Sequence, residues 1–199
     1  MLGTQVRSRE WLEQLYQDYA LTPYPMGASI TLTDSELLIV YRGVVQLFTI
    51  HPNGDETLLG LAGPSTPIGL PISVIDPYQA VALTQVDVLR LPWAEVETSP
   101  ELSSRLLPHL VLRLRQTEAW LALSGRRPVS ERLKQLLLLL KQDFGQRTPQ
   151  GTRLTVRLTH QHLANAIGAT RVTVTRLLSE FRSEGWLRLD GSRHLVICD

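Results

Sequence analysis

The sequence predicts an α+β fold made of a strand-rich N-terminal part, a long helix, and C-terminal helices followed by a hairpin. Short β-branched segments punctuated by glycine and proline occupy residues 26–92. A seven-residue leucine repeat follows, and two short capped helices come between residues 158 and 184. These changes in pattern predict boundaries between three parts, at residues 1–92, 93–126 and 127–199.

The bulk composition indicates a globular chain that stays inside the cell. A length of 199 residues is enough to bury a core. Cys198 is the only cysteine in the sequence, which excludes an internal disulfide and a four-cysteine iron–sulfur cluster. The block of leucines at residues 136–140 is too short to span a bilayer, and the N-terminus lacks an apolar signal region. We therefore expect a cytoplasmic protein that does not enter a membrane.

The net charge of +1 conceals an asymmetry between the two ends of the chain. Residues 1–125 hold 7 Lys and Arg against 13 Asp and Glu, whereas residues 126–199 hold 13 against 6. A basic C-terminal part is the charge distribution expected of a protein that binds a phosphate backbone. Because basic surfaces also occur without nucleic acid, the charge alone is weak evidence.

Short elements are expected through the first part. Pro23 and Pro25 end a predicted packing helix over residues 8–20. Residues 36–50 read as strands with a turn or bulge at Gly43, and Asn53-Gly54 is a strong hairpin signal. Further strands in residues 57–63 and 78–92 favour a sandwich or a small barrel.

The middle part reads as helix. Residues 93–98 form a short helix, and residues 100–124 form one long helix or two pieces joined at Pro108. The seven-residue repeat resembles a short coiled-coil seam and predicts a parallel homodimer. Packing of the same side chains on the barrel is the alternative. The predicted dimer interface comprises Leu107, Leu110, Leu114, Thr117 and Leu121.

The C-terminal part begins after a predicted hinge at residues 125–128. A leucine-rich helix is expected over residues 129–144, then a loop over residues 145–153 and a short strand to residue 158. Two alternating segments around Asp190-Gly191 predict a closing hairpin, of the kind called a wing.

The two short helices between these segments read as a helix-turn-helix. Thr159 and Thr170 are good N-caps, and Gly168 supplies the turn between the helices. The start of the second helix is left free to enter the major groove of double-stranded DNA. A helical hairpin with a solvated basic face is the alternative. The predicted DNA-binding residues are Thr159, His160, Gln161, Thr170, Arg171, Val172, Thr173, Thr175 and Arg176.

The string LTHQHLANAIGATRVTVTRLLSEFRSEGWL resembles the DNA-binding helices of the catabolite activator/FNR family. TRVTVTRLL is similar to the cyanobacterial nitrogen-regulator branch, and a weaker likeness extends back to Leu21. The resemblance implies a transcription regulator with an N-terminal double-stranded β-helix, a cyclic-nucleotide-binding-like barrel. A long dimerisation helix and a C-terminal winged helix-turn-helix would follow. It also implies palindromic GTA…TAC sites, with RNA polymerase as a further partner.

The same resemblance implies an effector pocket between the barrel and the long helix. Matching the register puts Asp76 where the cyclic-AMP and 2-oxoglutarate branches carry an arginine, so we expect this chain to bind neither anion usefully. Arg113 and Glu118 match helix positions near the ligand, although a dimer-seam ion pair accounts for them equally well. The effector is unknown. The implied pocket residues are Ile68, Gly69, Leu70, Asp76, Tyr78, Arg113 and Glu118.

Enzymatic and metal chemistry find little support in the sequence. There is no glycine-rich phosphate loop. His160 and His162 lie two apart on a predicted helix, so they do not face a common ligand. We expect no enzyme, no metal and no cofactor, and the alternative is a metal-dependent or ligand-binding cupin-like barrel with an accessory helical domain.

Overall fold

The computed structural model describes residues 2–198, with side chains described from Glu10 onward. The chain divides into two compact units. The N-terminal unit comprises Met1–Gly54 and Leu59–Gln116, and the C-terminal unit comprises Asp55–Leu58 and Thr117–Asp199. Across the described residues, no helix combines the length and apolarity that a membrane span requires.

The strands of the first part form a sandwich of two antiparallel sheets. The elements in chain order are α1 (Leu2–Asp18), β1 (Leu21–Tyr24), β2 (Glu36–Arg42), β3 (Val45–Ile50), β4 (Glu56–Ala62), β5 (Pro67–Ile68), a 3-10 turn (Leu70–Ile72), β6 (Gln79–Ala82) and β7 (Val86–Pro92). The strand orders are β1-β7-β2-β5 and β4-β3-β6. The implied barrel is therefore an open jelly-roll-like sandwich among the described residues, since the two sheets are not joined into one.

The central strands β2 and β7 are buried on both faces. Leu38 and Val40 lie in the core between the two sheets, while Leu37 and Ile39 lie in a second core with α1. This explains why the segment LLIV reads as continuous apolar sequence instead of alternating. Trp11 of α1 stacks on His109 with ring centroids 4.0 Å apart, so the predicted packing helix is confirmed as such.

One strand was missed by the sequence analysis, which expected none before residue 26. The helix ends at Asp18, and β1 pairs with β7 at the edge of the larger sheet. Pro23 lies within β1, which is allowed because an edge strand needs no hydrogen bond on its outer side. Prolines at this position therefore mark an edge strand as well as the end of a helix.

Two helices follow the sandwich, α2 (Trp93–Thr98) and α3 (Pro100–Ser124). α3 continues through Pro108 as a single helix, so the alternative of two pieces is wrong. Three members of the heptad repeat remain largely exposed along it, with Leu107 at 59%, Leu114 at 58% and Leu121 at 71%. Leu110 differs from them because it packs partly against the second core, the one that includes α1.

The C-terminal part forms a helical core covered by one four-stranded sheet. The elements are α4 (Val129–Phe144), β8 (Gly145–Thr148), β9 (Gly151–Leu154), α5 (His160–Ile167), α6 (Arg171–Ser183), β10 (Leu187–Leu189) and β11 (Leu195–Ile197), and the strand order is β10-β11-β9-β8. The predicted loop at residues 145–153 is wrong, since β8 and β9 form a hairpin there, and the strand expected to reach residue 158 ends at Leu154. The Thr148 hydroxyl donates to the carbonyl of Gly151 across the hairpin turn, 2.9 Å away.

Candidate nucleic-acid interface

α5 begins at a capping box built from threonine and histidine. The Thr159 hydroxyl accepts a hydrogen bond from the amide of His162 at 3.0 Å, and Nδ1 of His162 accepts one from the amide of Thr159 at 3.3 Å. Burial lowers the pKa of His162 and so favours the neutral ring, whose Nδ1 can act as an acceptor. Histidine thus takes the place of the glutamate or glutamine usual at this position.

The turn and the second cap follow the predicted pattern. Gly168 adopts a left-handed conformation (φ 60°), and the Thr170 hydroxyl accepts from the amide of Thr173 at 3.2 Å. A hydrogen bond of 2.7 Å between Nδ1 of His160 and the hydroxyl of Thr175 joins the start of α5 to the first turns of α6. The inward face of α6 is buried, as the spacing of its apolar residues at i, i+3, i+4 and i+7 indicates, and it comprises Val174, Leu177, Leu178 and Phe181.

The opposite face at the start of α6 is exposed. Val172 is 79% exposed, and Arg171, Thr175 and Arg176 are exposed beside it. Arg176 forms an ion pair with Glu180, whereas the guanidinium of Arg171 has no such partner within residues 2–198. The structure therefore brings these predicted DNA-binding residues together on one surface. On it, Arg171 has no ion-pair partner among the described residues, whereas Arg176 is paired with Glu180.

The α6 helix ends in a motif that fixes the departing chain. Gly185 has φ 76°, its amide donates to the carbonyl of Arg182, and the amide of Trp186 donates to the carbonyl of Phe181. This double hydrogen bond is a Schellman motif. The rings of Phe181 and Trp186 pack edge to face with centroids 5.2 Å apart, which supplies the apolar contact that accompanies the motif.

The wing is closed by an aspartate at its turn. Oδ1 of Asp190 accepts from the amides of Ser192 and His194, each at 2.8 Å, and Oδ2 accepts from Nε of Arg153 at 2.6 Å. Chiefly through the hydrogen bond from Arg153, the pKa of Asp190 falls to about 2. Nδ1 of His194 lies 2.7 Å from a terminal nitrogen of the same arginine, so its ring is occupied within the wing.

Arg132 is a structural cation that the sequence analysis missed. It lies in the first turn of α4, where its Nε donates to the carbonyl of Ile167 at 2.9 Å. One terminal nitrogen donates to the carbonyls of Arg126 and Arg127 at 3.1 and 3.2 Å. A single side chain therefore holds both the predicted hinge and the last residue of α5.

In the N-terminal unit, the structure brings two implied pocket residues together. Arg113 donates to Oε1 of Gln116 at 2.7 Å and shares a hydrogen bond with Tyr78. Burial raises the pKa of the Tyr78 phenol, and the charge and hydrogen bond of Arg113 offset part of that rise. The guanidinium also covers Gly60 so closely that a Cβ there would lie 2.6 Å from Nη1.

The other implied pocket residues have more varied surroundings. Ile68 is fully buried in the sandwich core, Gly69 precedes the 3-10 turn that begins at Leu70, and Asp76 is exposed and precedes a cis proline. Glu118 is exposed and lies in the C-terminal unit. Within residues 2–198, no cluster of three or more His, Cys, Asp or Glu side chains is arranged to hold a metal ion.

Comparison with known proteins identifies the family. A model described as the Crp-like helix-turn-helix domain matches residues 131–199. The Global nitrogen regulator of Synechocystis sp. is 37% identical over 151 residues, which span 71% of this chain and 67% of that protein. Regulatory protein CysR of Synechococcus elongatus is 39% identical, over 81% of this chain and 73% of that protein.

A third relative is the CRP-like cAMP-activated global transcriptional regulator of Mycobacterium tuberculosis. It is 36% identical, over 80% of this chain and 75% of that protein. A CRP-family transcriptional regulator from Thermus thermophilus superposes with a TM-score of 0.76 at 22% identity, covering 89% of this chain and 92% of that one. These relatives do not favour the cupin-like alternative. The chain belongs to the Crp/Fnr family of DNA-binding transcription regulators.

Proposed function

We propose that this protein is a homodimeric regulator that reads palindromic DNA of the GTA…TAC type through the start of α6. The observation that carries the proposal is the exposed cluster of Arg171, Val172, Thr175 and Arg176 on a helix whose opposite face is buried. It lies in the basic part of the chain, which favours contact with phosphates. The similarity to the nitrogen regulators supports the half-site sequence.

The capped start of each helix supplies further contacts. Thr159, His160 and Gln161 begin α5, and Thr170 and Thr173 begin α6. Helix N-termini present backbone N–H groups and a partial positive charge, both of which attract phosphate. In this proposal the start of α5 contacts the DNA backbone, while Arg171 and Arg176 reach base edges or anchor phosphates.

The exposed leucines of α3 support a dimer. Leu107, Leu114 and Leu121 recur every seven residues and are all more than half exposed on one side of the helix. Thr117 and the partly packed Leu110 complete the proposed seam. Two-fold symmetry about this stripe separates two recognition helices by one turn of DNA, ~34 Å, which suits a palindrome. RNA polymerase is the further partner proposed for the assembled regulator.

The residues of the implied effector pocket support a regulator that does not respond to cyclic AMP or 2-oxoglutarate. Arg113 is already hydrogen-bonded to Tyr78 and Gln116, so an anion would compete with two existing partners. Asp76 presents a carboxylate at the position where the resemblance implies an arginine, and like charges repel. Either no effector is needed, or the effector is neutral or cationic.

The test is an anisotropy titration of the full-length protein against a GTA…TAC palindrome and a scrambled duplex of the same length. We expect at least tenfold preference for the palindrome, unchanged by cyclic AMP or 2-oxoglutarate. Equal affinity for the two duplexes would contradict the proposed specificity. Saturable binding of either metabolite in isothermal titration, or a several-fold gain in DNA affinity on adding it, would contradict the proposal about the effector.

A further inference from the structure

A groove runs between the C-terminal half of α6 and the first strand of the wing. It has a volume of about 610 Å³ and is open to solvent. Two arginines and two serines provide its polar lining, and no carboxylate lines it. The lining residues are Ser179, Arg182, Ser183, Leu187, Arg188 and Leu189.

The two arginines of this helix–wing groove are uncommitted. Neither Arg182 nor Arg188 forms an ion pair or a side-chain hydrogen bond within residues 2–198, and both side chains are exposed. Other arginines of the same unit are engaged, such as Arg153 with Asp190 and Arg176 with Glu180. A groove that holds two free guanidinium groups and no carboxylate favours an anion that accepts hydrogen bonds from both.

The serines refine this picture. The hydroxyl of Ser179 donates to the carbonyl of Thr175 at 3.1 Å, and that of Ser183 donates to the carbonyl of Glu180 at 2.7 Å. Their protons are used within the helix, so the two guanidinium groups supply the donors. Of the acidic residues close by in the sequence, Glu180 is paired with Arg176 and Asp190 with Arg153, and Glu184 does not line the groove.

The groove continues the exposed face that begins at the start of α6. Exposed residues recur every three or four positions along this face, from Val172 through Arg176 and Ser179 to Ser183. Arg182 follows Arg171 by eleven residues, which is about 16 Å along a helix. The major groove of DNA is about 12 Å wide. In a helix-turn-helix it is the start of the recognition helix that meets base edges, so the far end of α6 is left to contact the bordering backbone.

We propose that the helix–wing groove binds a phosphate of the DNA backbone at the edge of the major groove, through Arg182 and Arg188. The inference rests on the proposed function and adds a sequence-independent contact to it. The groove strengthens binding to any DNA and fixes how deeply α6 enters, while Arg171 and Arg176 supply the choice of sequence. An acidic segment of a protein partner is the competing occupant.

The experiment compares full-length wild type with the R182Q/R188Q double variant, each titrated by anisotropy against the palindrome and the scrambled duplex over a series of salt concentrations. Each lost phosphate contact reduces the magnitude of the slope of log affinity against log salt by about 0.9. A dimer that loses one contact in each protomer therefore loses about 1.8. The fall in affinity between 50 and 200 mM salt then becomes about 12-fold smaller than for wild type. The ratio of affinities for the two duplexes stays the same.

R147Q is the matched control, since Arg147 is an exposed arginine on β8 that does not line the groove. It removes one exposed positive charge, against two in the double variant, and should leave the salt slope at the wild-type value. All variants should keep the wild-type melting temperature, because the substituted side chains are exposed. A double variant that melts lower is replaced by the single variants R182Q and R188Q, at least one of which should lower the salt slope while keeping the wild-type melting temperature.

The outcomes distinguish failure of the phosphate site in the groove from failure of the proposed sequence specificity. A double variant with the slope of R147Q would overturn the phosphate site. Wild-type DNA binding by the double variant, combined with loss of polymerase recruitment in a transcription assay, would overturn it in favour of a protein partner. If wild type shows no preference for the palindrome, the proposed specificity fails, but a reduced slope on the scrambled duplex still supports the groove.

Discussion

The two units of this protein use arginine in different ways. In the N-terminal unit, Arg90 donates to Glu36 at 2.7 Å and to the hydroxyl of Tyr24 at 2.6 Å, and Arg42 pairs with Asp87 at 2.8 Å. In the C-terminal unit, Arg171 and Arg182 face solvent without side-chain partners among the described residues. The first unit uses these cations to hold strands together, whereas the second unit, besides structural arginines such as Arg132 and Arg153, leaves others exposed and unpaired.

This difference gives the charge asymmetry of the sequence a physical meaning. The acidic N-terminal part contains nearly twice as many carboxylates as cations. Most of the arginine side chains described there have partners within the fold, namely Arg42, Arg90, Arg105 and Arg113. The basic C-terminal part contains twice as many cations as carboxylates, so some of its arginines must remain without one. The excess of cations is therefore available for phosphate.

The largest expected effect comes from breaking the dimer that joins two copies of the basic surface. We expect L114E/L121E to be monomeric and to lose at least 100-fold in affinity for the palindrome, because two linked half-sites typically contribute a factor of about 10² to 10⁴. Light scattering and anisotropy measure the two quantities. L112E is the control, because Leu112 is exposed on α3 but lies outside the heptad seam. A double variant that remains dimeric would contradict the proposed interface.

The comparison between units is tested most directly by a matched pair of arginines. We expect Arg171→Ala to cost about 1–3 kcal/mol in binding to the palindrome, if it contacts a guanine, without changing the melting temperature. Arg42→Ala should leave DNA binding unchanged and lower the free energy of unfolding by about 1–3 kcal/mol, since it removes the ion-pair partner of the largely buried carboxylate of Asp87. The comparison would be contradicted if Arg171→Ala lowered the melting temperature without weakening DNA binding, or if Arg42→Ala weakened DNA binding without lowering stability.

Removing the N-cap of α6, the proposed recognition helix, should have a smaller effect, which we expect on the stability of the fold. Thr170→Ala removes the hydroxyl that accepts from the amide of Thr173, and such losses cost about 1 kcal/mol of stability. Urea unfolding measures the change. Thr170→Ser keeps the hydroxyl and should restore most of the stability, so equal losses for both variants would show that the methyl group, and not the cap, is what matters.

The smallest effect concerns the wing, where an arginine is used as it is in the N-terminal unit. Arg153 holds the pKa of Asp190 at about 2, below its ordinary value of 3.8. A carboxyl whose pKa is depressed by folding contributes stability above its ordinary pKa, and this stability is lost as the pH falls toward 2. We expect the urea midpoints of wild type and Asp190→Asn to converge progressively as the pH falls from 5 to 2. A constant difference across this range would show that the ion pair does not stabilise the wing.

The parts of the fold that the sequence predicted are those determined by near neighbours. The caps at Thr159 and Thr170, the turn at Gly168 and the buried face of α6 all depend on residues three or four apart. The bounds of α2, α3 and α4 agree with the sequence pattern for the same reason. Local hydrogen bonds and helical spacing are visible in the sequence.

The missed features depend on distant partners. β1 exists because it pairs with β7, more than sixty residues later, and the missed β8-β9 hairpin joins its sheet through β11, more than forty residues after β9. The role of Arg132 depends on a carbonyl 35 positions away at Ile167. Neither hydrophobic spacing nor turn composition reveals such contacts, because they depend on how the elements pack.

The close approach of Arg113 to Gly60 has an evolutionary consequence. A methyl group at residue 60 would lie 2.6 Å from the guanidinium, so the arginine would have to move its far end to accommodate it, although the two residues are 53 positions apart. Mutation at either site changes what the other tolerates. Among homologous sequences, a side chain at position 60 should therefore accompany a shorter residue at position 113, and the two positions should vary together as the sensor part of the family diversifies.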